Sequence, residues 1–322
     1  MPLNYAKTAV LLLLLTAIFA AMGGFVGGQS GLVVAFGMAM VMNGLALWKS
    51  DKLVLRMQGA YEVPAGSGSG LHTMIADLAR RADLPMPRVF LVESPQPNAF
   101  ATGRNPENGA VCVSTGLLDM LDPREVAGVV AHELAHIKSR DTLTMALAAT
   151  LGGAISMLAQ WLQFGMLFGG RNGGSRHGRL ATLAAALLAP FAAMIVQMAI
   201  SRSREYQADR LGSSICGNPL WLASALAKIN QAVRGIPNPA AEANPASAHL
   251  FIINPLTGRG MDSLFSTHPD TSNRIAELEK LAAEMGITDF GPSGPAGATR
   301  SGGSFAPWLN RRPPDRARGI WG

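Results

Sequence analysis

Charge is what this chain has least of. Only 15% of its 322 residues are Asp, Glu, Lys or Arg, where a soluble enzyme of this size carries about a quarter. No charged residue at all occurs between Lys7 and Lys49. Cysteine is nearly absent. Cys112 and Cys216 have neither metal-ligand nor redox spacing, so a disulfide framework and a cysteine-based metal site are both excluded. The sequence has no internal repeat and no nucleic-acid-binding motif. The net charge of +6 and pI near 9.7 are concentrated beside apolar blocks and in the C-terminal tail. Attraction to anionic lipid headgroups accounts for that better than a nucleic-acid partner.

The apolar residues that fill the deficit, 48% of the chain, come in blocks. Thr8–Val26 and Gly31–Trp48 are each about long enough to cross a bilayer, with Gly27-Gly28-Gln29-Ser30 as the turn. A second block following at once argues against a cleaved leader. Thr142–Gly170 and Leu180–Ile200 form a second uncharged pair, which either crosses the membrane or dips into it. Lys7, Lys49, Lys52 and Arg56 flank the first pair, which orients the N-terminus and the region after Trp48 to the cytoplasm. Arg171, Arg176 and Arg179 between the later blocks run against export of that loop.

Against this background one short motif stands out, His132-Glu133-Leu134-Ala135-His136. On a helix, positions i and i+4 share a face, so two imidazoles address one metal while the adjacent Glu133 takes a proton from water. That is the donor set of zinc-assisted peptide hydrolysis. Asp122-Pro123-Arg124-Glu125 reads as a capping box with proline at the first helical position, and Val126, Val129, Val130 and Leu134 supply an apolar face. The third zinc ligand has to come from elsewhere. Ser201-Arg202-Ser203-Arg204-Glu205-Tyr206-Gln207-Ala208-Asp209 offers Glu205 as a ligand and Asp209 as a hydrogen-bond acceptor for a ligand histidine. On spacing alone, solvated pairs between these acids and the neighbouring arginines are an equal alternative.

Further elements are a Gly/Ser linker at Ala65–Gly70, an amphipathic helix at Leu71–Ala82 and strands at Arg88–Glu93, Ala99–Thr102 and Ala110–Ser114. Helices are expected at Leu220–Arg234 and Asn273–Met285, with a loop at Ile236–Ala248. The pattern divides the chain into a transmembrane hairpin (1–50), a first part of the catalytic domain (51–141), a second hydrophobic hairpin (142–200), a second part carrying the third ligand (201–290) and a disordered basic tail (291–322).

Val130 to His136, Ser203 to Asp209, and Ser266-Thr267-His268-Pro269 with Arg274-Ile275 together resemble the HtpX family of membrane zinc metalloproteases, relatives of the endopeptidases that trim prenylated proteins. Asn98-Ala99-Phe100-Ala101 resembles a further signature of that family. The resemblance covers roughly 1–286. It implies a mainly α fold with a small β-sheet, integral membrane helices and a zincin-like (gluzincin) domain. It implies one zinc ion held by His132, His136 and Glu205, with Glu133 as general base and Asp209 behind a ligand histidine. His268 and Arg274 become possible stabilisers of the transition state; the residues alone also allow His268 to end a loop and Arg274 to pair with Glu277 along its helix. Extended substrate is expected to add as a strand beside Asn98–Thr102. The implied setting is the bacterial inner membrane, multi-pass, with active site and both termini cytoplasmic. The implied work is quality control of misfolded or damaged membrane proteins. A processing protease for one membrane substrate and a zinc-stabilised scaffold are the rival readings. Oligomeric state is not legible.

Overall fold

The computed structural model describes residues 2–64, 70–147, 202–233, 251–253 and 270–290. The chain opens with a helical hairpin, α1 (Pro2–Met57), folded back on itself at Gly28 (φ 60°, ψ −146°). A side chain at φ 60° with that ψ is strained, so glycine makes the reversal in one residue rather than in the four-residue turn expected. The arms lie antiparallel. Asn43 of the second arm donates to Thr16 Oγ1 (2.8 Å) and to the Leu12 carbonyl (3.2 Å) of the first. Gly23 and Gly31 allow close approach, since a Cβ on Gly23 would overlap the Gly31 carbonyl oxygen. Among the described residues one helix, Gly28–Met57, is long and apolar enough to cross a membrane. Its Val33, Val34, Val41 and Trp48 are 63, 64, 62 and 69% exposed, an apolar surface that water alone would not favour.

The second arm does not stop near Trp48, as the sequence suggests, but continues to Met57. Its last turns carry Val54 and Leu55 into a cluster with Phe90, Phe100, Ala110, Cys112 and Ala146. Arg104 stacks on Trp48 (4.7 Å to the ring centroid), and Arg88 pairs with Asp51 (3.2 Å). The hairpin is thereby fastened to the sheet that follows.

That sheet has four strands in the order β1-β2-β4-β3. They are β1 (Tyr61–Glu62), β2 (Arg88–Val92), β3 (Ala99–Thr102) and β4 (Ala110–Ser114). β4 runs parallel to β2 and antiparallel to β3, with Ala99 opposite Val113 and Ala101 opposite Val111. One face packs on the base of α1. The other presents Val89, Ala99, Ala101, Val111 and Val113 to the main core. Burial on both faces makes β4 a continuous apolar run rather than an alternating one.

The main core is helical: α2 (Gly70–Arg81), α3 (Thr115–Met120), α4 (Pro123–Ser139), α5 (Arg202–Cys216), α6 (Pro219–Val233) and α7 (Thr271–Glu284). α2, α6 and α7 fall within a residue or two of the expected helices. β1, α3 and a single 3-10 turn at Pro106–Asn108 are additions to the expected elements. α4 is the central element, buried from Glu125 to Ile137. Cys112 and Cys216 are free and buried. Most of the second apolar pair, the 236–248 loop and the basic tail lie outside the described residues.

Candidate metal centre

α4 starts as its sequence dictates. Asp122 accepts from the Arg124 and Glu125 amides, and the Glu125 carboxylate accepts from the Asp122 amide. Such a cap contributes about 1 kcal/mol. Glu125 is also held by Ser224 (2.6 Å) and Lys228 (2.7 Å) of α6, so the start of α4 is pinned from outside as well. Two turns on, His132, Glu133 and His136 are all buried.

α5 crosses α4 at very short range. Glu205, Asp209 and Gly212 follow one another at helical spacing on one face. A Cβ on Gly212 would lie 2.9 Å from the His132 Cα and amide nitrogen. The missing side chain lets the α5 backbone approach the His132 turn of α4, and that approach delivers Glu205 to the two histidines. Their Nε2 atoms are 3.2 Å apart. Glu205 Oε2 is 3.7 Å from the His132 Nε2, and its Oε1 is 3.6 Å from that of His136. Tetrahedral ligands at zinc distances are separated by about 3.3 Å. The triangle fits one zinc ion with shifts of a few tenths of an ångström, and its nitrogen and carboxylate donors suit that metal.

Asp209 sits one turn further along α5. Its Oδ1 is 3.0 Å from His132 Nδ1 and accepts from that ring nitrogen. Arg274 from α7 grips Asp209 with two nitrogens, Nε at 2.9 Å and Nη2 at 2.6 Å. Its Nη1 donates to the Ile252 carbonyl (3.3 Å) and lies 3.5 Å from Glu205 Oε2. The sequence offered two roles for Arg274, a donor to a developing oxyanion or a partner of Glu277. In the structure it does not pair with Glu277. All three nitrogens are directed at Asp209, Ile252 and Glu205, and Glu277 lies instead 3.8 Å from Arg210. The reason is burial: a guanidinium only 1% exposed requires a carboxylate partner, and Asp209 supplies it. His268 lies outside the described residues.

Glu133 points toward the sheet. Its Oε2 accepts from the Ala101 amide at 2.7 Å. Ser114 donates its amide to the Asn98 carbonyl, so Asn98, Phe100 and Thr102 turn their backbone groups to β4, while Ala99 and Ala101 turn theirs to the free edge. β3 is the edge strand nearest the metal centre, and its outward amide at Ala101 meets the candidate general base. Asn98 Oδ1 accepts from the Ile252 amide (3.2 Å), so 251–253 bridges the start of β3 to Arg274.

The electrostatics follow from burial and pairing. Burial pushes the Glu133 carboxyl up, aided by Glu205 and opposed by the two histidines and the Ala101 amide. Burial also disfavours charge on His136, yet the Asp141 hydrogen bond and the surrounding carboxylates outweigh it and hold its pKa up, at about 9. Burial would raise Asp209, but Arg274 and His132 hold it below the usual carboxylate range. The arrangement can bind a divalent metal, keep a carboxylate of raised basicity beside it and present a strand edge that no other strand covers among the described residues.

Two further residues of the site were given no role by the sequence, Asp141 and Arg204. Asp141 Oδ2 is 3.4 Å from His136 Nδ1, and Arg204 Nη1 is 3.4 Å from Asp141 Oδ1. Arg204 is conspicuous beside Glu205, but nothing in the spacing from His136 to Asp141 signals contact.

The sequence profile described as peptidase family M48 matches residues 67–282. Among solved structures, the crystal structure of S. mikatae Ste24p is similar, with 20% identity and a TM-score of 0.45. The match covers 86% of this chain and 64% of that one, so this chain spans less than two thirds of its length.

Proposed function

Because the chain belongs to peptidase family M48, we propose that it is a zinc-dependent endopeptidase of the HtpX type, held at a membrane by its apolar hairpin. It cleaves unfolded or damaged membrane proteins on the cytoplasmic side. One observation carries the reading. The only group of three metal-ligating side chains among the described residues, His132, His136 and Glu205, adjoins Glu133, and Glu133 adjoins the edge of β3.

Zinc, when bound, lowers the pKa of water and polarises a peptide carbonyl. The chain's own residues do the rest. His132, His136 and Glu205 hold the ion. Asp209, braced by Arg274, fixes the His132 ring. The Ala101 amide holds Glu133 Oε2, leaving Oε1 to take a proton from the attacking water and return it to the leaving amine. An extended substrate pairs with the outward amide and carbonyl of Ala99 and the outward carbonyl of Ala101, and this requirement favours unfolded or flexible targets. The Lys and Arg flanking the hairpin support a cytoplasmic site, and the exposed apolar belt supports membrane residence.

The test uses the purified full chain with casein and with an unfolded membrane protein. Glu133→Gln is expected to keep zinc and lose cleavage, because an amide still accepts from Ala101 but is no base. Cleavage at the wild-type rate would refute the mechanism. A wild-type protein that binds zinc and cleaves neither substrate would favour the scaffold reading.

A further inference from the structure

We infer that Asp141 is the positioning residue for His136, and that its ion pair with Arg204 ties the metal centre to both ends of the apolar insertion. The inference rests on the zinc reading above. His136 Nε2 faces His132 and Glu205, so Nδ1 is the ring nitrogen turned away from the metal. A ligand histidine needs an acceptor there to fix its tautomer and ring angle. Asp141 is the carboxylate at that nitrogen, at 3.4 Å.

The contact is built by the backbone. α4 ends at Arg140 in the left-handed region (φ 59°, ψ 34°), which costs a non-glycine residue about 1–2 kcal/mol. That turn reverses the chain so that the Asp141 amide reaches back to the His136 carbonyl (3.0 Å) and its side chain comes under the ring. Asp141 is buried, and Arg204 answers its charge at 3.4 Å. Arg204 immediately precedes Glu205, so the pair also clamps the end of α4 to the start of α5. Each ligand histidine thus has its own carboxylate and each carboxylate its own arginine: His132, Asp209 and Arg274 on one side, His136, Asp141 and Arg204 on the other.

The two halves differ in where they sit in the chain. Asp141 directly precedes Thr142, where the uncharged stretch begins, and Arg204 follows its end at Ile200 by four residues. The ion pair therefore closes the base of the insertion.

The experiment measures zinc affinity of the metal-free full chain in detergent by competition with a chromophoric chelator, and records the visible spectrum of the cobalt-substituted protein. Asp141→Ala is expected to weaken zinc binding by about 10–100-fold and to shift the cobalt bands. Asp141→Asn keeps an oxygen acceptor and should fall between Ala and wild type. Arg204→Gln should weaken binding in the same direction with Asp141 intact. Wild-type affinity and an unshifted cobalt spectrum in Asp141→Ala overturn the inference, even if that variant melts earlier. Should Asp141→Ala fail to fold, Asp141→Asn and Arg204→Gln decide: wild-type affinity and spectra in both overturn it. A wild-type chain that binds no zinc would instead overturn the metal reading on which this depends.

Discussion

Asp209 performs two tasks that mutation can separate. It accepts from His132, and it neutralises Arg274, which is 1% exposed on its side chain. Removing it as Asp209→Ala leaves the guanidinium with the Ile252 carbonyl and with Glu205 Oε2 at 3.5 Å. An unpaired buried charge of this kind costs about 3–5 kcal/mol. For a domain of this size that lowers the melting temperature by on the order of 10 °C. The displaced cation also turns toward Glu205, the proposed third zinc ligand, so zinc affinity should fall by at least the roughly 10–100-fold expected for losing a histidine's carboxylate. Adding Arg274→Met removes the stranded charge. The double variant should recover most of the stability, with a coupling of about 2–3 kcal/mol, yet zinc should stay weak because His132 still lacks its acceptor. Melting curves of the metal-free proteins and chelator-competition titrations measure both quantities. If Asp209→Ala melts within about 2 °C of wild type, or if the double variant is no more stable than the single, the Arg274–Asp209 pair is not a buried, charge-neutralising contact.

Three other outcomes are expected. Ala99→Pro should impair cleavage while zinc and fold persist, because Ala99 turns its amide to the free edge; normal turnover would count against strand addition there. Gly212→Ala should destabilise by about 1–3 kcal/mol and weaken zinc, since the new Cβ would press on the His132 backbone; unchanged melting and affinity would show that the close crossing does not set the ligand triangle. His136, held up at about 9 without metal, must lose its proton to bind zinc. Apparent zinc affinity should therefore rise about tenfold per pH unit up to that value and level above it. The same raised pKa stabilises the metal-free fold at low pH, and that contribution is lost as pH rises through about 9. Zinc titrations that are flat between neutral pH and 9 would refute the assignment.

Features that depend only on neighbouring residues are legible in the sequence. The capping box at Asp122, the period of Val126, Val129, Val130 and Leu134, and the i, i+4 histidines depend only on helix geometry, and α4 obeys them. Glycine next to glycine between two uncharged runs marks the hairpin, and Ala99–Thr102 and Ala110–Ser114 are bounded by turn residues. The period of Leu71, Ile75 and Leu78 likewise specifies α2.

What sequence alone leaves open is which segment meets which. Glu205 and Asp209 could equally have been solvated. It is the crossing at Gly212, where α5 lacks a Cβ against the backbone of α4, that brings them under the histidines. Arg274 could have paired with Glu277 along its own helix; burial against Asp209 decides otherwise, because a desolvated cation goes to the carboxylate it can grip with two nitrogens. Asp141 acquires its role from a left-handed turn at Arg140, a residue type with no strong preference for that conformation, which folds it under His136. Helix periodicity is a local property and is written in neighbouring residues. The metal centre is a meeting of α4, α5 and α7 across more than a hundred residues of chain, and only packing in three dimensions chooses which side chains arrive there.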